Sequence, residues 1–371
     1  MGLLLVELVV ELVDHARGER ATWSVKVVST SLQVQTMRAA QLSRYGAPDV
    51  LSVVSAPRPT PGKGEVLVAV KASSVNPIDC KIRAGTQRAF IRYQLPRALG
   101  LDVSGEVAAL GEGVQGWAVG DEVFAVNDYR KPGCYAEFTV VPAALLARKP
   151  ASCTHAQAAA LPLVGLTAWQ ALVTVGKLQP GQRVLIQAGA GGVGTIAIQL
   201  AAHLGAHVIT TCSARNADFV RGLGAHEVID YNAQPFEEAL RDAPPLDLVL
   251  DALGGAARAR ALPLLRRGGK LVSIVSDIPE MVGRYGAMLG AVAAVSRLIS
   301  FRVRARLTAG VSFSWIVMKP SGAQLSELAR LVEGGHVKPV IDRCFPLHDI
   351  VAAHALSDTH HAKGKVVIEV G

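Results

Sequence analysis

Gly189, Gly191 and Gly194 hold the first, third and sixth places of a short glycine-rich stretch, a spacing that suits a backbone wrapped around phosphate. The stretch follows the apolar run Arg183-Val184-Leu185-Ile186. It precedes Thr195-Ile196-Ala197-Ile198-Gln199-Leu200-Ala201, whose apolar residues recur at helical spacing. Strand, tight turn and helix in that order open a dinucleotide-binding unit. Gly189 permits the turn, Gly191 lets the backbone approach a pyrophosphate, and Gly194 lets the helix lie close to the strand. The N–H groups at the helix start attract the anion.

A second group of residues bears on which dinucleotide is held. About 20 residues past the glycines, where an acid would hold a ribose 2′-hydroxyl, the chain reads Thr210-Thr211-Cys212-Ser213-Ala214-Arg215-Asn216. It offers a hydroxyl and a guanidinium but no carboxylate. Arg215 can grip a 2′-phosphate that an acid would repel, so NADPH is expected over NADH.

Placing these residues takes a parallel sheet. From Arg183 onward, strands expected at 207–212, 227–230, 246–251 and 270–275 alternate with helical stretches near 216–223, 236–241 and 256–266, the pattern of a doubly wound α/β fold. Residues 156–172 have helical composition. Between Met37 and about Pro150 the chain is β-rich, with runs such as 65–71 and 103–110 bounded by glycine and proline turns, which suggests a compact barrel-like domain. Residues 326–333 predict a helix and 365–370 a final strand.

Between these, 281–300 is small and apolar, and Phe301-Arg302-Val303-Arg304-Ala305-Arg306-Leu307 alternates with period two. The alternation predicts an edge strand guarded by arginines, or cover over the cleft. It is favoured over a membrane-surface element because no sustained basic amphipathic helix is evident. Residues 1–36 stand apart. Leu3 to Val13 is apolar but too short to span a bilayer, and it lacks the basic start of a signal peptide. Two readings stand for it: an appended helix with Glu7 and Glu11 on one face, or sequence ahead of a true start at Met37.

Composition excludes several classes. With 371 residues, half of them hydrophobic, the chain is too long for one ordinary core and too apolar for disorder. The formal charge of +8 would admit nucleic acid, yet the basic residues are scattered, so no nucleic-acid partner is expected. Cys80, Cys134, Cys153, Cys212 and Cys344 lie far apart with no CxxC pair, which fits neither a zinc knuckle nor a disulfide framework. A cytoplasmic protein without stable membrane insertion is expected.

From Met37 to Gly371 the chain resembles the zinc-free quinone oxidoreductase branch of the medium-chain dehydrogenase/reductase superfamily. The resemblance rests on Ser74-Val75-Asn76-Pro77-Ile78-Asp79, Gly100-Leu101-Asp102-Val103-Ser104-Gly105-Glu106-Val107 and Ala160-Leu161-Pro162-Leu163-Val164-Gly165-Leu166-Thr167-Ala168. To these it adds Ala188 to Gly194 and Leu223-Gly224-Ala225-His226-Glu227-Val228-Ile229-Asp230-Tyr231. It implies a GroES-like catalytic domain over 37–160, a Rossmann NADP-binding domain over 161–310, a C-terminal return over 311–371 that completes the catalytic domain, and a homodimer. Asn76, Leu101 and Leu163 fall where alcohol dehydrogenases of the superfamily carry zinc ligands. An amide and two aliphatic side chains do not hold zinc, so no metal is expected.

The resemblance also assigns roles. Asn76 would sit beside the nicotinamide or the substrate oxygen, with Tyr45, and less strongly Tyr93, lining the cleft. Thr167 goes to the nicotinamide end, Gly191, Gly192 and Val193 to the pyrophosphate, and Ser213, Arg215 and Tyr231 to the 2′-phosphate and adenosine. Ser273, Ile274 and Val275 lie beneath the nicotinamide amide, and Lys363 of Lys363-Gly364-Lys365 fits a phosphate contact. Asp251 before Gly254-Gly255 would cap a turn. Without a Lewis acid, the chemistry that remains is hydride transfer to an already electrophilic quinone or enone. An enoyl-thioester or 2-alkenal reductase and a non-catalytic NADPH-binding regulator are the alternatives.

Overall fold

The computed structural model describes residues 4–13, 22–31, 35–88, 91–275 and 277–371. One sheet of seven strands forms the catalytic half. Its order runs Ala147–Arg148, Glu122–Val126, Asp102–Leu110, Glu65–Val75, Lys365–Glu369, Ile341–Pro346, with Phe138–Pro142 also paired to Glu65–Val75. Valine recurs at every second residue over 66–70, and Val66, Val68 and Val70 fill the core under the strand together with Val103 and Tyr135. A smaller sheet, ordered Leu51–Pro57, Thr36–Leu42, Arg97–Ala98, closes one side. Helix α1, Pro77–Arg83, leaves the long strand at once because Pro77 takes the first helical position with Asn76 as its cap.

The other half is a six-stranded parallel sheet: β1 Arg183–Ile186, β2 His207–Cys212, β3 Glu227–Asp230, β4 Leu246–Asp251, β5 Leu265–Ser273 and β6 Ser312–Trp315, in the order β3-β2-β1-β4-β5-β6. Strand order reverses between β1 and β4, and the crevice at such a switch is where nucleotides bind in open α/β sheets. Helix α2, Pro162–Trp169, packs against α3, Gly192–His203, over a shared core that includes Leu166, Ile196 and Leu200. The helical stretch expected over 156–172 is broken in two, since Pro162 must open a new helix.

Three expectations are corrected. The 301–307 segment is not an edge strand. Its first four residues end helix α5, Ala287–Arg304, which follows helix α4, Ile278–Tyr285, and the rest enter the wider helical turn Ala305–Ala309. Gly290, Ala294 and Ala305 are buried, with Leu298 and Phe301 partly so, and that 4-4-3-4 spacing is a helical signal that a seven-residue window hides. The parallel sheet also runs past the boundary expected at 310, because Ser312–Trp315 pairs with β5. The appended helix is instead an antiparallel hairpin of Leu4–Val13 with Thr22–Ser31; valine recurs through both segments, joined by threonine in the second, and favours strand.

Candidate active site

β1 ends at Ile186, and the chain turns through Ala188 at φ +56° into the glycines. A Cβ on Gly189 would lie 2.1 Å from Thr210 Oγ1, and one on Gly194 would lie 2.3 Å from the Ala188 carbonyl oxygen, so the fold itself demands both glycines. Gly191 differs. Its Cβ would meet Ala188 O at 3.3 Å and nothing else within 4 Å, so the space over it is left for something the chain does not supply. Thr195 N donates to Gly191 O at 2.9 Å, the first bond of α3, which leaves the first-turn N–H groups of Gly192, Val193 and Gly194 pointing out of the helix start. Next to the turn, buried Gln187 leaves both amide atoms without partners. A bare backbone, a helix N-terminus and an unsatisfied amide at the switch point together fit a dinucleotide phosphate chain.

The other cofactor-binding candidates gather at the same edge of the sheet, at the carboxyl ends of its strands. Ser213 follows β2 and caps the turn that holds Arg215, whose guanidinium is exposed. Tyr231 follows β3 and is exposed. Lys363 places its ammonium 4.7 Å from the Phe219 ring centre, in the helix after that turn, so it reaches the same end of the crevice. Ser273 closes β5, its buried hydroxyl 2.7 Å from Asp251 Oδ2, and Ile274 and Val275 continue from it. Asp251 does cap its turn, accepting from Gly254 N at 2.7 Å and Leu253 N at 3.1 Å. Thr167 lies on α2, where its hydroxyl donates to Leu163 O at 2.7 Å.

The wall facing the glycines belongs to the catalytic sheet. Gly364 N donates to Ala190 O at 2.9 Å, and Gly364 bridges Gly191. One residue on, Lys365 is buried, its ammonium donating to Val75 O at 3.0 Å and to Asn76 Oδ1 and lying 3.4 Å from Asp102 Oδ2. Asp102 collects three more donors: Ser74 Oγ at 2.6 Å, Asn76 Nδ2 at 2.8 Å and Leu163 N at 2.8 Å. Asp79 accepts from Asn76 N at 2.9 Å. Burial pushes the Asp79 carboxyl up to about 7, against the Asn76 N–H that favours its charge, and burial likewise lowers Lys365 while Asp102 opposes that shift.

This network joins strand Glu65–Val75, strand Asp102–Leu110, the start of α2 and the last strand. It includes Asn76 and the backbone of Leu163, two of the three positions that the family resemblance matches to zinc ligands, and its donor set does not suit a metal. Asn76 is committed to Asp102 and Lys365, and Leu101 and Leu163 offer no side-chain ligand. Among the described residues no group of three His, Cys, Asp or Glu side chains is placed to hold a metal ion.

Asn76 caps the start of α1, while Tyr45 Cβ packs 3.1 Å from the Cβ position of Gly85, beyond the far end of that helix. A helix of that length spans about 10 Å. The Tyr45 hydroxyl accepts from Tyr93 N at 3.4 Å, and burial raises the Tyr93 phenol to about 12. Sequence reasoning missed Lys365 as a buried group, Asp102 as the hub of the network, and Arg258, which ties Asp251 at 2.9 Å to Asp277 at 3.2 Å beneath Ser273. Lys365 reads as a tail lysine. The available hint was the β-branched run Val366-Val367-Ile368, which makes Lys365 the first residue of a strand.

Comparison with known proteins agrees with this architecture. Residues 62–151 match the family model described as alcohol dehydrogenase GroES-like domain, and residues 223–368 match that described as zinc-binding dehydrogenase. The mitochondrial NAD(P)H oxidoreductase RTN4IP1 of Danio rerio is 36% identical over 354 residues, covering 90% of this chain and 91% of that protein. Among solved structures, the quinone oxidoreductase from Coxiella burnetii superposes with a TM-score of 0.78 at 35% identity, covering 91% of this chain and 100% of that one. A mycobacterial protein solved in complex with NADPH gives 0.74 at 30% identity, covering 90% and 100%. A nicotinamide-dependent oxidoreductase is the activity these relatives share with the cradle described above, and the chain belongs to the quinone oxidoreductase branch of the medium-chain dehydrogenase/reductase superfamily.

Proposed function

We propose that this chain is an NADPH-dependent reductase that delivers hydride to quinones or similarly activated carbonyl acceptors, acting without a metal as a cytoplasmic homodimer. The observation that carries the reading is the wall shared by the two halves. The open glycine Gly191 touches Gly364, and the next residue buries its ammonium against Asn76 and Asp102, so the phosphate cradle and the polar core of the catalytic sheet are one residue apart.

A nicotinamide bound at this cradle supplies hydride from its C4. The N–H groups of Gly192, Val193 and Gly194 would hold the pyrophosphate, and Ser213, Arg215, Tyr231 and Lys363 the 2′-phosphate end. Thr167, Ser273, Ile274 and Val275 would frame the nicotinamide. Arg215, with no acid beside it at the end of β2, supports NADPH over NADH. Asn76 is buried, its amide held by Asp102 on one side and Lys365 on the other, and it is assigned to the wall beside the nicotinamide or the acceptor oxygen. Lys365, on the carbonyl side of the same amide, fixes which way it points. Tyr45 is assigned to the cleft lining. The proton that completes the reduction comes from water or a weak acid.

Oxidation of NADPH and NADH against a panel of quinones, enones and acyl thioesters tests the reading. Quinone turnover with NADPH preferred supports it. Turnover confined to enones or acyl thioesters assigns an alkenal or enoyl reductase, and tight NADPH binding with no turnover assigns a regulator. Unchanged kcat/KM in Asn76→Ala and Tyr45→Phe removes those two residues from the mechanism.

A further inference from the structure

Between β5 and β6 the chain makes an excursion whose outer face no described residue covers. Helix α5 turns Gly290, Ala294 and Ala305 inward, and Phe301 meets Phe313 of β6 at 4.8 Å between ring centres. The opposite face is apolar too. Met288, Val292, Val295, Ile299 and Val303 recur three and four apart, and Met288 is 79% exposed, Val292 60% and Ile299 57%. Leu289 and Leu307 extend the stripe. A helix with one face buried in a soluble domain ordinarily carries polar residues on the other, and a contiguous exposed apolar stripe marks a contact surface.

Charge decides what the contact is. Residues 278–310 contain five arginines and one glutamate. Arg297 pairs with Asp277 at 3.3 Å, while Arg302, Arg304 and Arg306 are exposed and make no ion pair among the described residues. At 100° per residue, Arg302 falls about 60° from the middle of the stripe, while Arg297 and Arg304 fall roughly 140–160° away, at the far side of the helix. A two-fold pairing of α5 would run the helices antiparallel and lay the arginine end of each copy against the uncharged first half of the other, where no acid answers it. An anionic lipid surface satisfies both features at once, since apolar side chains sink below the headgroups and arginines meet phosphates.

We propose that α5 lies in the plane of an anionic phospholipid membrane and docks the protein there as a peripheral protein. Its 18 residues extend about 27 Å along the surface, and no helix among the described residues is long and apolar enough to cross. The proposal does not depend on the reductase reading.

Flotation of the full chain with vesicles tests it, using phosphatidylcholine alone and phosphatidylcholine containing phosphatidylglycerol, at low and raised salt. The parent protein is expected to float with the anionic vesicles and to release as salt is raised. Val292→Asp with Ile299→Asp, and separately Arg302→Glu with Arg304→Glu, are expected to weaken partition at least ten-fold. All four positions are exposed, so near-UV circular dichroism should match the parent. Failure of the parent to float with anionic vesicles, equal flotation with phosphatidylcholine alone, or undiminished flotation of both variants would overturn the proposal. So would loss of a dimer in Val292→Asp with Ile299→Asp without any flotation of the parent, which assigns the stripe to a second copy.

Discussion

Lys365→Met removes a buried cation and leaves the rest of the side chain's volume in place. Lys365 Nζ lies 3.4 Å from Asp102 Oδ2. At that separation and an effective dielectric of ~20, unit charges attract by about 5 kcal/mol. The cost of burying the ammonium offsets part of this in the parent protein. The variant, however, strands the Asp102 carboxylate, and breaking one side of a buried pair costs roughly 3–5 kcal/mol. Guanidinium unfolding at neutral pH should therefore place Lys365→Met about 3–5 kcal/mol below the parent. Adding Asp102→Asn removes the stranded charge, so the double variant should lie well above the sum of the two single losses. A loss under about 1 kcal/mol in Lys365→Met, the range of an exposed pair, would refute the argument. Additive losses in the double variant would refute it as well.

The same variant carries a pH signature. Asp79 is raised from 3.8 to about 7 in the folded protein, so across that window the native state keeps a proton that the unfolded chain has released. Stability therefore falls as pH rises through the window, and the loss is complete above it. Lys365 is one of the groups that lower Asp79. Without it the window extends upward, and the deficit of Lys365→Met should grow from mildly acidic to alkaline pH. A deficit that shrinks with rising pH would show that Asp79 is not coupled to this lysine.

Gly191→Ala should fold like the parent, because its Cβ meets a single atom at 3.3 Å, yet lose at least ten-fold in NADPH affinity by calorimetric titration; Gly189→Ala, 2.1 Å from Thr210 Oγ1, should lose stability first. Arg215→Ala should raise the Kd for NADPH by roughly ten- to a hundred-fold, the worth of a charged hydrogen bond, and leave NADH little changed. Burial drives the His354 imidazole from 6.5 down to about 3. The unfolded chain binds that proton through this window and the native state does not, so stability falls with falling pH by up to about 1.4 kcal/mol per pH unit. His354→Leu should flatten that acid limb in thermal melts recorded across the same range.

Why some of this was legible in the sequence and some was not follows from the range of the interactions. The glycine turn, its flanking strand and helix, and the alternation of strands with helices are set by local signals: periodicity over a few residues, and glycines whose need is felt within the same turn. The Asn76–Asp102–Lys365 network has no local signal, because its members are 26 and 263 residues apart and meet only once the last strand pairs with Glu65–Val75. A lysine in a tail and a lysine in a core are spelled alike. Helix α5 failed differently. Its arginines fall at every second position over 302–306, a real strand signal, while the evidence for helix is spread over the whole run from Gly290 to Ala305. That error matters beyond the assignment. The edge-strand reading explained the arginines as guards against pairing, and once they stand on a helix beside an exposed apolar stripe, that explanation lapses and a lipid surface takes its place.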